Sequence, residues 1–306
     1  MPTILITGGT GLVGKALSYA LVAKGYRVII LSRSLKNQQK NENISYALWD
    51  IKKQYIDLAA IREADCIVHL AGAAVIDKKW TEAYKKEIRD SRTESSRLII
   101  EALKNNENKV KAVVSISAIG WYGEDAEPVK PFVETGAAAD NFLGQTCKLW
   151  EESIEPVTGI GKRLAKLRTG IVLSNDGGAY AEFKKSVRFG IAAILGGGKQ
   201  IVSWIHINDL CRLFIFAIEN EHVQGSYNAV APAPVSNKGL ILEIAKKIKG
   251  RFYIPLHVPA VVIKMMLGQR SIEVLKSATA SCKKITGAGF VFEYNDIETA
   301  VKELEK

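Results

Sequence analysis

The chain opens with an apolar run, a glycine-rich turn and the start of an amphipathic segment, "TILITGGTGLVGKAL" (residues 3–17). Its glycines have the spacing G-x-x-G-x-x-G. The first glycine permits a tight turn, the second lets the backbone approach a pyrophosphate, and the third lets the next helix pack closely. The free N–H groups at the start of that helix attract an anion. This context predicts a dinucleotide-binding turn in which the cofactor contacts are Gly8, Gly9, Thr10, Gly11, Leu12, Val13 and Gly14.

The segments that follow predict the fold. Short β-rich runs such as "RVIILS" (27–32) and "CIVHLAG" (66–72) alternate with helical stretches. This alternation predicts an α/β fold with a doubly wound, parallel sheet of the Rossmann type. After Leu173 glycine and proline clusters appear, which indicates a smaller C-terminal substrate lobe. We expect the Rossmann domain to span 1–173, with 203–230 packing back onto it, and the substrate lobe to comprise 174–202 and 231–306.

The bulk composition limits the classes of partner that we expect for this protein. No apolar run approaches the ~18–20 residues of a spanning helix, and the four scattered cysteines indicate reduced thiols, so we expect a cytoplasmic protein. The net charge of +10 is dispersed and accompanies no nucleic-acid-reading motif. We therefore expect a small-molecule substrate, and neither nucleic acid nor a membrane as partner. The charged helix near 80–106 fits both a homodimer contact and a solvent-facing surface.

The end of the second predicted strand, "IILSRSLK", bears on which dinucleotide binds. An NAD site normally has an acid here for the ribose 2′-OH, but Ser32 and Arg33 occupy this place. A guanidinium can hold a 2′-phosphate by charge-assisted hydrogen bonds, which favours NADP over NAD. The simpler alternative is a solvated surface arginine. Asp50, at the end of "YALWD", either holds the adenine amine or closes a loop turn.

Several motifs together resemble a known family. They include "TGGTGLVG" (7–14), "IRDSR" (88–92), "RTGIVLSNDGGA" (168–179), "SWIHINDL" (203–210) and "GAGFVFEY" (287–294). With them the chain resembles, nearly end to end, an extended short-chain dehydrogenase/reductase of the atypical epimerase-like branch, the "NAD-dependent epimerase/dehydratase" or "sugar-nucleotide epimerase" proteins. The resemblance implies a Rossmann domain, a C-terminal substrate lobe and NADP as cofactor. It also implies cofactor contacts at Leu70, Ala71, Gly72, Glu87, Arg92 and Ile171.

These implied contacts have simpler alternatives. Leu70, Ala71 and Ile171 also suit the core at strand ends, and Glu87 and Arg92 also suit an intrahelical ion pair.

The usual catalytic pair of this superfamily, Tyr-x-x-x-Lys on one helix, is missing from the expected helix, "DNFLGQTCKLWEE" (140–152). Three registers are open: they place Leu143 and Cys147, Gly144 and Lys148, or Phe142 and Thr146 in the two positions. None supplies both residues. The one literal match, Tyr180 with Lys184, lies too far along the chain, and we interpret it as part of an ordinary helix of the substrate lobe.

Proton transfer to a substrate oxygen must then come from elsewhere. Strand "VVSIS" ends at Ser115 and Ser117, and Tyr122 follows in the loop where parallel sheets place ligands. We expect Ser115 to contact the cofactor and predict Tyr122 as proton donor, with Ser117 as a second donor. The alternative for Tyr122 is a packed loop aromatic.

Other polar residues suit the pocket rather than the chemistry. Arg168, His206 and Asp209 are candidates for substrate or inter-lobe contacts, although a helix-capping role for Asn208 or Asp209 fits equally. The four histidines do not cluster with acids or thiols, so we expect no metal.

Two functions remain open at this level. One is an NADP(H)-binding oxidoreductase or epimerase-like enzyme acting on a small polar substrate, with sugar derivatives as one class. The other is a catalytically silent NADP(H)-binding redox sensor or regulatory protein, which the missing Tyr/Lys pair suggests.

Overall fold

The computed structural model describes residues 1–35 and 41–306. The strands of the described residues are β1 (Thr3–Thr7), β2 (Arg27–Ser32), β3 (Ile44–Asp50), β4 (Tyr55–Ile56), β5 (Cys66–His69), β6 (Ala112–Ala118), β7 (Arg163–Thr169), β8 (Ile171–Leu173), β9 (Ile191–Leu195), β10 (Ile201–Val202), β11 (Trp204–His206), β12 (Gly225–Ala229), β13 (Val235–Ser236) and β14 (Ile254–Val258). The α-helices are α1 (Leu12–Ala23), α2 (Leu58–Glu63), α3 (Glu82–Asn105), α4 (Phe142–Ile154), α5 (Gly178–Arg188), α6 (Ile207–Glu219), α7 (Asn237–Lys249), α8 (Ala260–Leu267), α9 (Ser271–Leu275), α10 (Lys283–Gly287) and α11 (Ile297–Leu304). Single 3₁₀ segments cover Ile119–Trp121, Glu155–Ile160 and Gly268–Arg270.

The largest sheet has eight strands in the order β12-β7-β6-β5-β1-β2-β3-β4. All neighbours are parallel except β4, which runs antiparallel to β3. From β1 the chain first builds outward to β3 and then returns to add β5 on the other side. The order therefore reverses between β1 and β5, and a crevice for ligands opens at the carboxyl ends of strands at such a point. This topology confirms the predicted doubly wound α/β fold.

Burial on both faces explains why these strands are almost wholly apolar. β1 is buried along its whole length. Its Ile4 and Ile6 face a core cluster that also contains Leu17 of α1 and Leu210 of α6. Its Leu5 faces the opposite cluster, which includes residues of α2 and α3. Helices therefore cover both faces of the sheet, as parallel sheets require.

A third core cluster lies among the small sheets and the helices of the C-terminal half. It joins α5, α7 and α11 to β9, with Tyr180, Trp204 and Leu240 at its centre. β9 pairs with β14, β10 with β13, and β8 with β11. By contrast, β12 joins the large sheet and α6 packs in the first cluster. We propose that the third cluster is the core of a second lobe formed by 174–202 and 231–306.

Side-chain caps fix where several helices begin. Thr81 Oγ1 accepts the N–H of Tyr84 (3.2 Å) at the start of α3. At α6 the cap is His206, whose Nδ1 accepts the N–H of Asn208 (3.1 Å). The capping role considered for Asn208 or Asp209 therefore belongs to His206. Among the helices of the described residues, none is both long and apolar enough to cross a bilayer.

Candidate functional site

Two glycines of the segment between β1 and the first turn of α1, Gly8 and Gly14, have no room for a Cβ. Gly8 has a positive φ of 68°, and a Cβ on it would lie 2.8 Å from the carbonyl oxygen of Leu70. A Cβ on Gly14 would lie 2.4 Å from the carbonyl oxygen of Gly8. α1 begins after Gly11 without a side-chain cap, so its first N–H groups are available to an anion. The turn thus has the shape and the donors that a pyrophosphate needs.

The segment after β5 is held to the glycine turn by Thr7. Its Oγ1 accepts the N–H groups of Leu70 (3.0 Å) and Ala71 (3.2 Å) and lies 2.8 Å from His69 Nδ1. Because both lone pairs are used, the Thr7 hydroxyl donates to Nδ1, which leaves the ring proton on Nε2. Burial, assisted by the charge of Arg92, lowers the pKa of His69 to about 3. Thr7 therefore holds Leu70 and Ala71 beside β1, and the neutral imidazole of His69 accepts its hydroxyl proton.

Arg92 fixes the next part of this segment. Its guanidinium donates to the carbonyl oxygens of Ala73 (3.1 Å) and Ile88 (2.8 Å) and lies 4.7 Å from the Trp150 ring centroid. Glu87 instead faces solvent, 3.7 Å from Lys78. The Glu87–Arg92 ion pair considered from the sequence is not formed. Arg92 also contacts Gly72, where a Cβ would lie 3.1 Å from its Cζ.

The residues predicted to select the dinucleotide lie at the ends of β2 and β3. Ser32 Oγ donates to the carbonyl oxygen of Ser34 (2.8 Å), and Arg33 is exposed. Asp50 Oδ1 accepts the N–H groups of Lys52 (3.0 Å) and Lys53 (3.2 Å), which closes a turn. Asp50 thus closes a loop turn, which was the simpler of its two interpretations. Its contact with the adenine amine stays a prediction.

Ser115 and Ile171 lie on strands near the crevice. Ser115 is buried in β6 and its Oγ donates to the carbonyl oxygen of Ile116 (3.2 Å). Ile171 begins β8, where it is paired with Trp204, and is about one-third exposed at 37%. The cofactor contacts of both residues stay predictions.

α4 turns an apolar face toward the loop that follows β6. A Cβ on Gly120 would lie 3.6 Å from Leu143 Cβ and 3.7 Å from Cys147 Sγ. Leu143 and Cys147 thus occupy the places facing this loop, whereas Lys148 is turned outward, 3.9 Å from Glu152. Burial raises the pKa of the Cys147 thiol to about 12, so it is protonated at neutral pH. This helix supplies neither a phenol nor a cation at the loop.

Ser117 belongs to a buried polar network centred on Glu151. Its Oγ donates to Glu151 Oε1 (2.8 Å), while Arg168 donates from Nε to the same oxygen (2.7 Å) and from Nη2 to Oε2 (3.0 Å). Ser226 Oγ also donates to Oε2 (3.0 Å). Burial alone would raise the pKa of Glu151, but the hydrogen bonds and charge of Arg168 outweigh it and hold the pKa below its usual value. The network joins β6, β7, α4 and β12.

Tyr122 extends the same network. Its hydroxyl donates to Asn228 Oδ1 (2.7 Å) and accepts from Arg168 Nη1 (3.0 Å), and its ring stacks on Phe132 with centroids 5.0 Å apart. Burial raises the pKa of Tyr122 although the Arg168 charge opposes this. The structure therefore brings Ser117, Tyr122 and Arg168 together, with both hydroxyls hydrogen-bonded inside the protein. The catalytic roles of Ser117 and Tyr122 stay predictions.

Two groups of polar residues connect distant parts of the chain: Asp209, and the pair Tyr180 and Lys184 that matches Tyr-x-x-x-Lys literally. Asp209 accepts the N–H of Tyr294 (2.9 Å) and pairs with Arg212 (2.6 Å), which ties α6 to the C-terminal segment. Tyr180 is buried and donates to Glu305 Oε1 (2.8 Å), to which Lys184 is also paired. Tyr180 and Lys184 thus connect α5 with the end of the chain.

A cavity of about 110 Å³ lies between the large sheet and the proposed second lobe. Ile119, Gly120 and Ile171 form one wall, at the carboxyl ends of the strands. The other walls come from α5, β9, β10 and the segment 273–278, and they are mostly apolar. A Cβ on Gly178 would lie 3.3 Å from Leu12 Cδ2, so α5 begins against the glycine turn and continues along the cavity.

Lys276 and Glu273 are the charged residues of this cavity wall. The Lys276 side chain is only 9% exposed, and its Nζ lies 2.8 Å from Glu273 Oε1. That contact lacks hydrogen-bond geometry, and Nζ has no hydrogen-bond partner among the described residues. A buried ammonium with unused donors is costly unless a further group accepts them. Within the described residues, no group of His, Cys, Asp and Glu has the arrangement of a metal site.

Sequence reasoning missed this pair because no motif marks it. Lys276 lies in "EVLKSATASCKK", one of several lysine-containing segments. Its only local signal is the spacing of three residues from Glu273. Its neighbours Gly120 and Ile171 come from more than a hundred residues earlier in the chain.

The motifs and this architecture agree with comparisons to known proteins. Residues 4–144 match the model of the NAD dependent epimerase/dehydratase family, and residues 258–304 match a domain of unknown function, DUF1731. Epimerase family protein YfhF of Bacillus subtilis is 32% identical over 302 residues, covering 98% of this chain and 97% of the relative. The chain belongs to this epimerase family. The suspected resemblance is thereby confirmed.

Two solved structures of similar proteins share the fold. Human epimerase family protein SDR39U1 (isoform 2), solved with NADPH, has a TM-score of 0.86 at 27% identity, and 99% of each chain is covered. A nucleoside-diphosphate sugar epimerase from Corynebacterium glutamicum has a TM-score of 0.77 at 29% identity, covering 100% of this chain and 59% of the other.

Proposed function

We propose that this protein is an NADP(H)-dependent oxidoreductase or epimerase-like enzyme whose small polar substrate binds in the cavity beside Gly120. Sugar derivatives are one such class of substrate. The observation that carries the proposal is the buried ammonium of Lys276, which has no hydrogen-bond partner among the described residues and lies in a mostly apolar cavity at the carboxyl ends of the strands. Ligands of doubly wound sheets bind at this edge.

The proposed cofactor site is the glycine turn with the ends of β2, β3 and β5. The turn fits a pyrophosphate because Gly8 and Gly14 leave no room for a Cβ and α1 begins without a side-chain cap. Exposed Arg33 supports binding of a 2′-phosphate, since it stands where an NAD site has an acid. The similar human protein was solved with NADPH. These observations favour NADP over NAD.

When bound, the nicotinamide supplies or accepts a hydride, and a group of the protein must handle the proton at the substrate oxygen. We assign that task to Lys276, which lines the cavity and whose Nζ makes no hydrogen bond within the described part of the chain. Glu273 Oε1, 2.8 Å away, places an opposite charge beside the ammonium. In an apolar cavity such a charge stabilises developing negative charge on oxygen more strongly than it would in water.

One observation favours a second candidate, a catalytically silent NADP(H)-binding redox sensor or regulatory protein. Leu143 and Cys147 face the loop at Gly120, and the hydroxyls of Ser117 and Tyr122 are engaged elsewhere. Such a protein would bind NADPH tightly and turn over no substrate.

A comparison of Lys276→Met with the parent protein tests the proposal. Fluorescence titration should show tighter binding of NADPH than of NADH, unchanged in the variant. Single-turnover oxidation of NADPH, followed by absorbance with a panel of small carbonyl compounds including keto sugars, should slow by about 10²–10⁴-fold, the usual effect of losing an acid–base group. Lys302→Met, at an exposed position of α11, is the matched control.

Two results would contradict the proposal in different ways. Turnover by Lys276→Met at the parent rate would remove Lys276 from the chemistry. Tight NADPH binding by the parent, without oxidation by any compound of the panel, would favour the silent protein.

A further inference from the structure

The segment from Phe252 to Met266 exposes an unusual amount of apolar surface. Phe252 is 87% and Met265 81% exposed, and the other four large apolar residues are more than half exposed. We call these six residues the apolar face: Phe252, Ile254, Leu256, Val261, Met265 and Met266. Together they present on the order of 700 Å², compared with about 300–600 Å² for the largest apolar patch of a typical monomer.

The backbone explains why these side chains point outward together. Ile254 and Leu256 alternate along β14, so they share one side of that strand, and exposed Phe252 comes two residues before the strand begins. Among the described residues, β14 is paired along one edge, with β9. α8 begins right after Pro259 and is anchored by Ile263, which is buried, while Val261 and Met265 lie four residues apart on its outer side. The strand and the helix, which are joined at Pro259, thus both expose apolar side chains on the proposed second lobe.

The charged side chains of the chain segment that carries this face are of one sign. Between Glu243 and Glu273 the chain contains six lysines and arginines and no acidic residue. Four of the six come immediately before Phe252, at the end of α7 and in the turn after it, and Lys264 lies within α8. An apolar face bordered by cations complements an anionic surface.

The same charges decide whether a second copy of this chain or an anionic membrane covers the apolar face. A second copy seated on the face by two-fold symmetry would bring two sets of six positive charges together, which opposes association. An anionic bilayer attracts these charges. It also buries apolar side chains to a depth of about 5–10 Å without needing a complementary groove. We propose that the apolar face docks the protein on the surface of a membrane that contains anionic lipids.

This docking is a surface contact and does not require a spanning segment. The expectation that no membrane is a partner came from the lack of spanning runs in the sequence, and a surface contact involves different features. The proposal does not depend on the proposed enzyme activity, because none of the six residues lines the cavity beside Gly120.

Cosedimentation with vesicles tests the proposal on the full chain. One set of vesicles contains phosphatidylcholine alone, and the other contains equal parts of phosphatidylcholine and phosphatidylglycerol. We expect the protein to sediment with the anionic set, to remain free of the neutral set, and to dissociate as salt is raised. The double variants Met265→Ser/Met266→Ser and Lys247→Glu/Arg251→Glu should each bind the anionic vesicles at least tenfold more weakly.

Val291→Ser is the matched control, because Val291 is an apolar residue that is 71% exposed elsewhere on the surface. It should bind the anionic vesicles like the parent. All these side chains face solvent, so thermal unfolding should show that the variants fold. Absence of sedimentation with anionic vesicles at low salt, or equal binding by the parent and both double variants, would overturn the proposal. Dimerisation that needs Met265 and Met266, without vesicle binding, would reassign the face to a second copy.

Discussion

At the scale of single residues, the environment of a side chain decides what its chemistry can be. Tyr122 was predicted as a proton donor from its position after β6, yet its hydroxyl proton is directed to Asn228 Oδ1 and its oxygen accepts from Arg168. Proton transfer to a substrate would require breaking the first of these hydrogen bonds. Lys276, which no motif indicates, lines a cavity, and its Nζ has no hydrogen-bond partner in residues 1–35 and 41–306.

Replacing Tyr122 by Phe distinguishes a structural role of its hydroxyl from a role as proton donor. If the hydroxyl is structural, the variant leaves Asn228 and Arg168 each short of one partner and loses about 1–3 kcal/mol of unfolding free energy, while turnover changes less than tenfold. We expect this result in denaturant melts and single-turnover kinetics. A fall in turnover of about 10²–10⁴-fold with normal NADPH affinity would make Tyr122 the proton donor. Tyr180→Phe, which removes another buried hydroxyl, bonded to Glu305, is the control.

At the scale of elements, the sequence predicted the strands and helices that a local pattern of apolar residues is enough to identify. β1 and β2 have the residues expected from "TILIT" and "RVIILS", because period and burial suffice to identify a buried strand. The register of α4 could not be chosen from the sequence, since it depends on contacts with Ala139 and Gly120. Lys276 was missed for the same reason: its position in a cavity is created by distant segments.

The glycine turn gives a prediction for the contact between β1 and α1. In Gly14→Ala the new Cβ would lie 2.4 Å from the carbonyl oxygen of Gly8, so α1 must move away from the strand. We expect a loss of about 1–3 kcal/mol in unfolding free energy, as for other overpacked sites, and at least tenfold weaker NADPH binding in fluorescence titrations.

Gly159→Ala is its control, because a Cβ there meets nothing within 4 Å. Gly14→Ala with parent-like stability and NADPH affinity would show that α1 does not need this close packing.

At the scale of the whole molecule, two buried histidines in separate regions couple stability to pH. Burial, with the charge of Arg92, lowers the pKa of His69 to about 3. Burial lowers the pKa of His206 to about 4, although the charges of Asp209 and Glu303 oppose this. One lies beside the glycine turn at the end of β5, and the other caps α6. Both imidazoles are therefore neutral in the folded protein at pH 5, whereas unfolded histidines with a pKa of about 6.5 are mostly protonated there.

The sign of the pH dependence follows from this difference. A folded-state pKa below the unfolded value means that the unfolded chain binds more protons, so stability falls as pH falls from about 6.5 toward about 4. With two histidines the limiting slope is about 2.7 kcal/mol per pH unit. His206→Gln should reduce this slope by about half in denaturant melts between about pH 4.5 and 6, whatever it does to absolute stability. His222→Gln, at an exposed position, should leave it unchanged. An equal slope in the parent and in His206→Gln would mean that His206 accepts a proton in the folded state. Because Nε2 carries the proton of the neutral ring, this second proton would go to Nδ1 and break the cap on the N–H of Asn208.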